Sequence, residues 1–255
     1  MCISYTKFRA KYSYLSFMGN NSFKFKQFTV FHDRCAMKVG TDGVLLGAWT
    51  DVNGCRSILD VGTGSGLVAL MAAQRNGQAK ITAIEMDVDA ALQAKENVEN
   101  SRFKERINVL PFSFRDFLLV AASRFDSIVS NPPFFFKSLP SPDLKRTGAR
   151  HMDSLTPAEL FEMSRKLLND AGTLSLIYPF SERENIMTAS KKENFHLSRE
   201  TVVYPTRSAS PKRVLLEFTV GKGDAPVRNE LVIEEKRHVY TPEFVHLVQD
   251  FYLYL

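Results

Sequence analysis

Ser57-Ile58-Leu59-Asp60-Val61-Gly62-Thr63-Gly64-Ser65-Gly66 is the stretch that decides the fold of this chain. Ile58-Leu59 is an apolar strand signal carrying an acid, Asp60, at its end. Three glycines follow on alternate positions, and Leu67 to Ala73 then reads as a helix. Strand, glycine turn and helix in that order form the opening unit of a doubly wound α/β sheet. Glycines there let a ligand lie against bare backbone, because any Cβ would clash. A dinucleotide fingerprint is G-x-G-x-x-G, aimed at a pyrophosphate. Here the spacing is Asp60-x-Gly62-x-Gly64-x-Gly66. A carboxylate in front of the glycines repels a pyrophosphate and suits an ammonium group, met directly or through water.

Working downstream, Lys80 to Glu85 is a second strand, again ending in an acid. Glu85 lies about 20 residues beyond the turn, the place from which an acid reaches a ribose diol in this fold. Asp60 and Glu85 together make a two-carboxylate nucleoside pattern. Met86 follows and either packs on an adenine face or belongs to the core. Residues 89–100 read as a helix, and Ile107 to Pro111 as a third strand. Ser113-Phe114-Arg115-Asp116 is expected in the loop after it, where Phe114 or Asp116 meets the ring or its amino group, or serves as core and cap. Phe125 to Ser130 is a fourth strand that ends in Asn131-Pro132-Pro133-Phe134. In an open α/β sheet, ligands sit outside the carboxyl ends of the strands, so this turn and the glycine turn face one crevice. Two prolines make the turn rigid. Asn131 offers a side-chain carbonyl, Pro132 a backbone carbonyl and Phe134 a flat apolar face. That set suits a planar amine, with two acceptors for two N–H donors and a ring to stack on.

Upstream, Phe23 to Val30 alternates apolar and polar and predicts a strand, with Cys35 to Val39 as its partner. Gly40-Thr41-Asp42-Gly43 is a turn leading into an apolar helix, Val44 to Trp49, that closes over a ligand at the glycine turn. Beyond Phe134, residues 137–157 form a loop in which Lys145, Arg146 and Arg150 are placed to grip a phosphate backbone. Thr156-Pro157 starts a helix that Gly172 ends, and Thr173 to Ile177 is a fifth strand. A helix over 182–194 follows. Residues 199–204 and 213–220 predict an antiparallel pair, joined by a loop with Lys212 and Arg213. Leu231 to Ile233 is a short edge strand, and Thr241-Pro242 opens a C-terminal helix.

The chain has 255 residues, 44% apolar and 24% charged, which suits one globular domain over residues 22–255 with 22–50 capping the ligand site. Residues 1–21 read as a basic leader, either poorly ordered or upstream of the true start at Met18. Formal net charge is +5, and residues 1–40 carry seven Lys or Arg, among them Lys24 and Lys26, against one acid, Asp33. A basic end on a neutral body fits a polyanion such as RNA. No apolar run approaches the roughly 20 residues that span a bilayer. Three cysteines without metal-type spacing exclude a disulfide framework and a zinc site, and suggest a reducing, cytoplasmic setting.

The Asp60 glycine turn, Glu85 and Asn131-Pro132-Pro133-Phe134 resemble the motifs of class I amino-group methyltransferases that use S-adenosyl-L-methionine. Lys38 to Trp49, Val109 to Phe117 and Pro211 to Phe218 resemble, more narrowly, the bacterial tRNA(Val) adenine-37 N6-methyltransferase family. That resemblance covers about residues 22–255. It implies a Rossmann-like fold with a mostly parallel seven-stranded sheet, helices on both faces and an antiparallel C-terminal strand pair. It implies a cofactor site of Thr41, Asp42, Gly43, Asp60, Gly62, Gly64, Gly66, Glu85, Met86, Phe114, Asp116 and Asn131. Asn131, Pro132 and Phe134 would act on the target base, and Lys24, Lys26, Lys145, Arg146, Arg150, Lys212 and Arg213 would meet RNA. The expected substrate is an adenine in a tRNA anticodon loop, acted on by a monomer without a metal. Guanine N2 or adenine N6 methylation of ribosomal RNA, glutamine methylation of a protein, and a non-catalytic RNA-binding module remain the alternatives.

Overall fold

The computed structural model describes residues 21–132, 155–221 and 223–254. Phe134, Lys145, Arg146 and Arg150 lie outside these described residues. The first described element is a hairpin of β1 (Ser22–Lys24) and β2 (Thr29–Phe31). A single strand over 23–30 paired with 35–39 was the expectation, and the chain instead reverses inside the first segment. Phe25 and Phe28 are both buried with rings 4.8 Å apart, so the backbone must turn between them. The Phe25 N–H donates to the Phe28 carbonyl at 2.8 Å and closes that turn. Residues 32–40 are left as an irregular, mostly exposed strap.

The α/β body then runs α1 (Thr41–Trp49), β3 (Ser57–Val61), α2 (Leu67–Arg75), β4 (Lys80–Ile84), α3 (Val88–Glu99) and β5 (Ile107–Leu110). It continues α4 (Phe114–Val120), β6 (Phe125–Ser130), α5 (Pro157–Leu167), β7 (Leu168–Pro179), α6 (Arg183–Lys192), β8 (Phe195–Thr206) and β9 (Arg213–Val220). Last come β10 (Val227–Lys236), β11 (Val239–Tyr240) and α7 (Pro242–Val248).

The main sheet has the order β11-β10-β8-β9-β7-β6-β3-β4-β5. From β5 to β7 all pairings are parallel, and β9 inserts antiparallel between β7 and β8. The expected seven strands are β3 to β9, and β10 with β11 extends the sheet to nine among the described residues. β10 was expected over 231–233 only. Its flanks, Arg228-Asn229-Glu230 and Glu234-Glu235-Lys236, are too polar to read as a strand, yet they follow the edge of β8 as a parallel ladder. Tertiary pairing overrides propensity there.

Burial explains the layers. Successive residues of β3 point to opposite faces, Ile58 into one core and Leu59 into the other. The first core is filled by α1, α2 and α7, the second by α4, α5 and α6. Thr156 caps α5 with its side chain while Glu159 reaches back to the cap, as the Thr-Pro start predicts. The helix ends at Leu167 rather than Gly172, and β7 begins at once. Gly172 sits at an irregularity of the β6–β7 pairing, where a Cβ would lie 3.0 Å from the Phe125 carbonyl.

α1 and α2 pack closely enough that Gly47 has no room for a side chain. A Cβ there would meet Met71 Sδ at 2.7 Å and Met71 Cβ at 3.0 Å. Gly47→Ala is therefore expected to lower stability by about 1 kcal/mol, since overpacking outweighs the gain in helix propensity. Urea unfolding followed by circular dichroism measures it.

Candidate active site

The chain leaves β3, β4 and β5 on one side of the sheet and returns through β6 on the other side of β3. Ligands in open α/β sheets sit at this reversal, outside the carboxyl ends of the strands. A cavity of about 370 Å3 occupies that place. Gly62 and Gly64 line it after β3, Glu85 and Met86 after β4, Phe112, Phe114 and Arg115 after β5, and Asn131 and Pro132 after β6. Its size falls in the range of small-molecule sites, about 300–1,000 Å3.

The glycine turn is shaped by hydrogen bonds to the end of β4. Gly62 N and Thr63 N donate to the Ile84 carbonyl at 2.9 and 3.0 Å. Gly64 N donates to Glu85 Oε2 at 2.9 Å, and Asp87 N donates to Glu85 Oε1 at 3.0 Å. Gly62 and Gly64 have φ of 70° and 55°, a region that strains other residues, and a Cβ on either would find open space. Bare backbone thus faces the cavity, beside a carboxylate with lone pairs to spare. These features fit the nucleoside half of S-adenosyl-L-methionine.

Asp60 takes a different place from the one expected. It is 2% exposed, outside the residues that line the cavity, and its Oδ2 accepts from Thr63 Oγ1 at 2.5 Å and Ala69 N at 3.1 Å. The carboxyl ties the turn to the start of α2. Burial pushes its pKa up to about 7, against the two hydrogen bonds and with a further push from Glu85.

Asn131 follows β6, and its Oδ1 is buried with no hydrogen-bond partner among the described residues. Pro132 is buried beside it. Thr41, Asp42 and Gly43, at the start of α1, do not line the cavity, and Gly43 stands close to Asn131. A Cβ on Gly43 would be 3.0 Å from Leu67 Cδ2 and 4.0 Å from Asn131 Nδ2, so glycine permits the close approach. Asp42 accepts from Arg213 Nε at 2.8 Å, so a predicted cofactor residue and a predicted RNA residue pair with each other. Lys212 is exposed on the same end of the sheet, where its carbonyl accepts from Phe180 N just after β7. Lys26 is not there. Its Nζ donates to the Gln249 carbonyl at 2.6 Å, in a groove with Gln74 and Arg75 at the far end of α2. Lys24 is exposed at the end of β1. Gly66 N-caps α2 and backs onto α3, its virtual Cβ 3.4 Å from Ala94 Cβ.

Ser113 to Asp116 is a helix start rather than a loop. Ser113 caps α4 by accepting from Asp116 N, and its Oγ lies 2.6 Å from the Asp116 carboxylate; Ser113 lines the cavity and Asp116 does not. Phe114 does line the cavity. The sequence reading missed Arg115, which lines the cavity and donates through Nε and Nη2 to Glu159 Oε1 at 3.1 and 2.6 Å. The Thr156 N–H, and then Arg115, hold the Glu159 carboxyl down at about 2. The sequence reading expected residues 22–50 to cap the site but did not single out Cys35, Ala36 and Met37 of the strap, which line the cavity and carry no motif. Burial, aided by Glu85, Asp87 and Asp33, raises the Cys35 thiol to about 11, so it stands there as a neutral group. Among the described residues no group of three or more His, Cys, Asp or Glu is placed to hold a metal ion. No helix among them is long and apolar enough to cross a membrane.

Asp60 makes stability depend on pH. Its folded pKa of about 7 lies above its ordinary 3.8, so between these values the folded state binds more protons than the unfolded one. Stability from this group is full below about pH 4 and is lost as pH rises through about 7, a change on the order of 4 kcal/mol. Asp60→Asn is expected to flatten that slope in urea unfolding measured from pH 4 to 8.

Comparison with known proteins agrees with this geometry. Residues 38–195 match the methyltransferase small domain. The chain is 47% identical over 239 residues to a tRNA1(Val) (adenine(37)-N6)-methyltransferase of Trichodesmium erythraeum, covering 92% of this chain and 99% of that one. It is 48% identical over 236 residues to the protein of the same name in Parabacteroides distasonis, with the same coverage. Among solved structures, a predicted O-methyltransferase from Agrobacterium tumefaciens superposes with a TM-score of 0.63 at 20% identity, over 82% of this chain and 96% of that one. A tRNA m1G37 methyltransferase from M. jannaschii superposes with a TM-score of 0.53 at 13% identity, over 79% and 57%. At these identities the two structures establish the class I methyltransferase fold, and the sequence relatives establish more: this chain belongs to the tRNA1(Val) (adenine(37)-N6)-methyltransferase family.

Proposed function

We propose that this chain methylates the N6 amino group of adenine 37 in the anticodon loop of tRNA(Val), acting as a monomer whose residues 22–255 form one methyltransferase domain. It is an enzyme dependent on S-adenosyl-L-methionine and acts on adenine N6 in tRNA, as its family does. The observation that carries the chemistry is the buried Oδ1 of Asn131, without a partner among the described residues, in the cavity that Glu85 also lines. An acceptor withdrawn from water without a partner costs roughly 1–3 kcal/mol. It fits a ligand that brings an N–H donor.

When bound, the cofactor supplies a methyl carbon made electrophilic by a sulfonium. The chain's residues supply position and charge. Glu85 holds the ribose hydroxyls while its other contacts keep the glycine turn in shape. Asn131 Oδ1 and the Pro132 carbonyl accept the two N–H groups of the target amine. An adenine amino nitrogen is a poor nucleophile because its lone pair is shared with the ring. Hydrogen bonds to these two acceptors favour a more tetrahedral nitrogen and stabilise the positive charge that develops there. Phe134 stacks on the base and keeps the nitrogen in line. The proton then leaves to solvent, because a methylated aminium is strongly acidic. The base must first be turned out of its stack, which an unpaired loop makes cheap. Lys212 and Arg213, with Lys145, Arg146 and Arg150, are proposed to hold the surrounding phosphates.

Asn131→Ala is expected to keep cofactor binding and to lose turnover by about 10²-fold or more, by analogy with removal of one oriented transition-state partner. The experiment uses labelled cofactor and unmodified tRNA, with nucleosides identified by mass spectrometry. N6-methyladenosine at position 37 of tRNA(Val) supports the reading. N2-methylguanosine, or label in protein alone, would overturn the substrate, and near-normal turnover by the variant would overturn the mechanism.

A further inference from the structure

The strap over residues 32–40 has no regular structure of its own, yet Cys35, Ala36 and Met37 cover the cavity. What holds it is α3. Gln93, 2% exposed, accepts from Arg34 N through Oε1 at 2.8 Å. Glu96 pairs with the Arg34 guanidinium. Asn97, 1% exposed, accepts from Phe31 N at 2.9 Å and donates to the Phe31 carbonyl at 2.8 Å, so that its carboxamide pairs with β2 as a neighbouring strand would. Its Nδ2 also donates to the Ser65 carbonyl at 2.9 Å, inside the glycine turn.

We propose that Asn97 is a positioning residue for the cofactor: one buried carboxamide joins the glycine turn to the end of β2, the point from which the strap departs. The two N–H groups of Nδ2 reach two carbonyls, Phe31 at the end of β2 and Ser65 in the glycine turn. No other residue type offers one acceptor and two donors in that compact planar arrangement at this length. Gln93 and Glu96 lie on the same helix and fix the next turn of the strap. The cover therefore sits at a height over Gly64 and Glu85 that α3 sets. Lifting it exposes the cavity without disturbing the sheet, because the strap takes no part in the main ladder. The inference rests on the cofactor reading but not on the RNA substrate.

The test needs no RNA. Asn97→Asp keeps the acceptor for Phe31 N and turns both donor positions toward carbonyls they repel. Binding of S-adenosylhomocysteine is measured by calorimetry and its release by stopped flow, with backbone amide exchange of Phe31 and Gly64 followed by mass spectrometry or NMR. The expected result is about a tenfold rise in Kd, carried mainly by faster release, with faster exchange at Phe31. Turnover at saturating cofactor should change less than KM for the cofactor. The exposed variant Glu96→Gln, which leaves the core untouched, should raise the release rate by a few-fold and guards against a fold defect in Asn97→Asp. Unchanged Kd and release in Asn97→Asp or, should that variant fail to fold, in Glu96→Gln, would overturn the proposal. Absence of binding by the unaltered chain would overturn the cofactor reading and the positioning role together.

Discussion

The Ile84 carbonyl accepts two hydrogen bonds, from Gly62 N and Thr63 N, and the next residue, Glu85, accepts one from Gly64 N. Three successive N–H groups of the glycine turn are thereby committed to the end of the neighbouring strand. A turn with positive φ at Gly62, Gly64 and Gly66 has no repeating ladder to satisfy its backbone, and buried backbone groups need partners. β4 supplies them. Placing Glu85 at the rim of the cavity is a consequence of the same contacts, because the carboxylate that shapes the turn is the one that lines the cavity. Asp60 and Asn97 complete the frame from below and from the side, through Ala69 N and the Ser65 carbonyl.

The electrostatics of the site follow from how unequally its polar groups are satisfied. Asp60 is buried and bonded, and its charge is suppressed by desolvation. Glu85 is bonded but sits at the rim. Asn131 Oδ1 is buried and unbonded. A gradient of this kind leaves an acceptor unmet among the described residues at the end of β6, on the wall of the cavity. Fixed dipoles in a water-poor pocket act without reorganising at the moment of reaction, and this is the source of their catalytic value.

Much of the fold was legible because its signals are local. The strand, turn and helix around Gly62 to Gly66 depend on glycine conformation and apolar runs that neighbours in sequence dictate, and β3 to β9 appear where those runs fall. The acid after β4 and the amide after β6 were legible for the same reason, since topology carries strand ends to one crevice. The remainder depended on long-range packing. Asp60 has the spacing of a ligand group, but the first turn of α2 captured its oxygen. Phe25 and Phe28 reversed the chain because both rings sought one core. Polar β10 became a strand only against β8, and Cys35 to Met37 reached the cavity through partners on α3 more than fifty residues away.

The insertion of β9 between β7 and β8 has a consequence for the order in which the molecule can be made. During synthesis β7 emerges with its outer edge unpaired, and β8 cannot close that edge, because its own partner on that side is β9. The wall that carries Asn131 is therefore buttressed only after residue 220 is available. The same late segment brings Arg213 to Asp42, across 171 positions of chain, and so steadies the start of α1 behind Asn131. Non-local pairing of this kind is slow to form. The nascent protein has the glycine turn and Glu85 early and the buttress behind Asn131 late. Completion of the wall behind Asn131 therefore waits on β9, which begins 82 positions further along the chain.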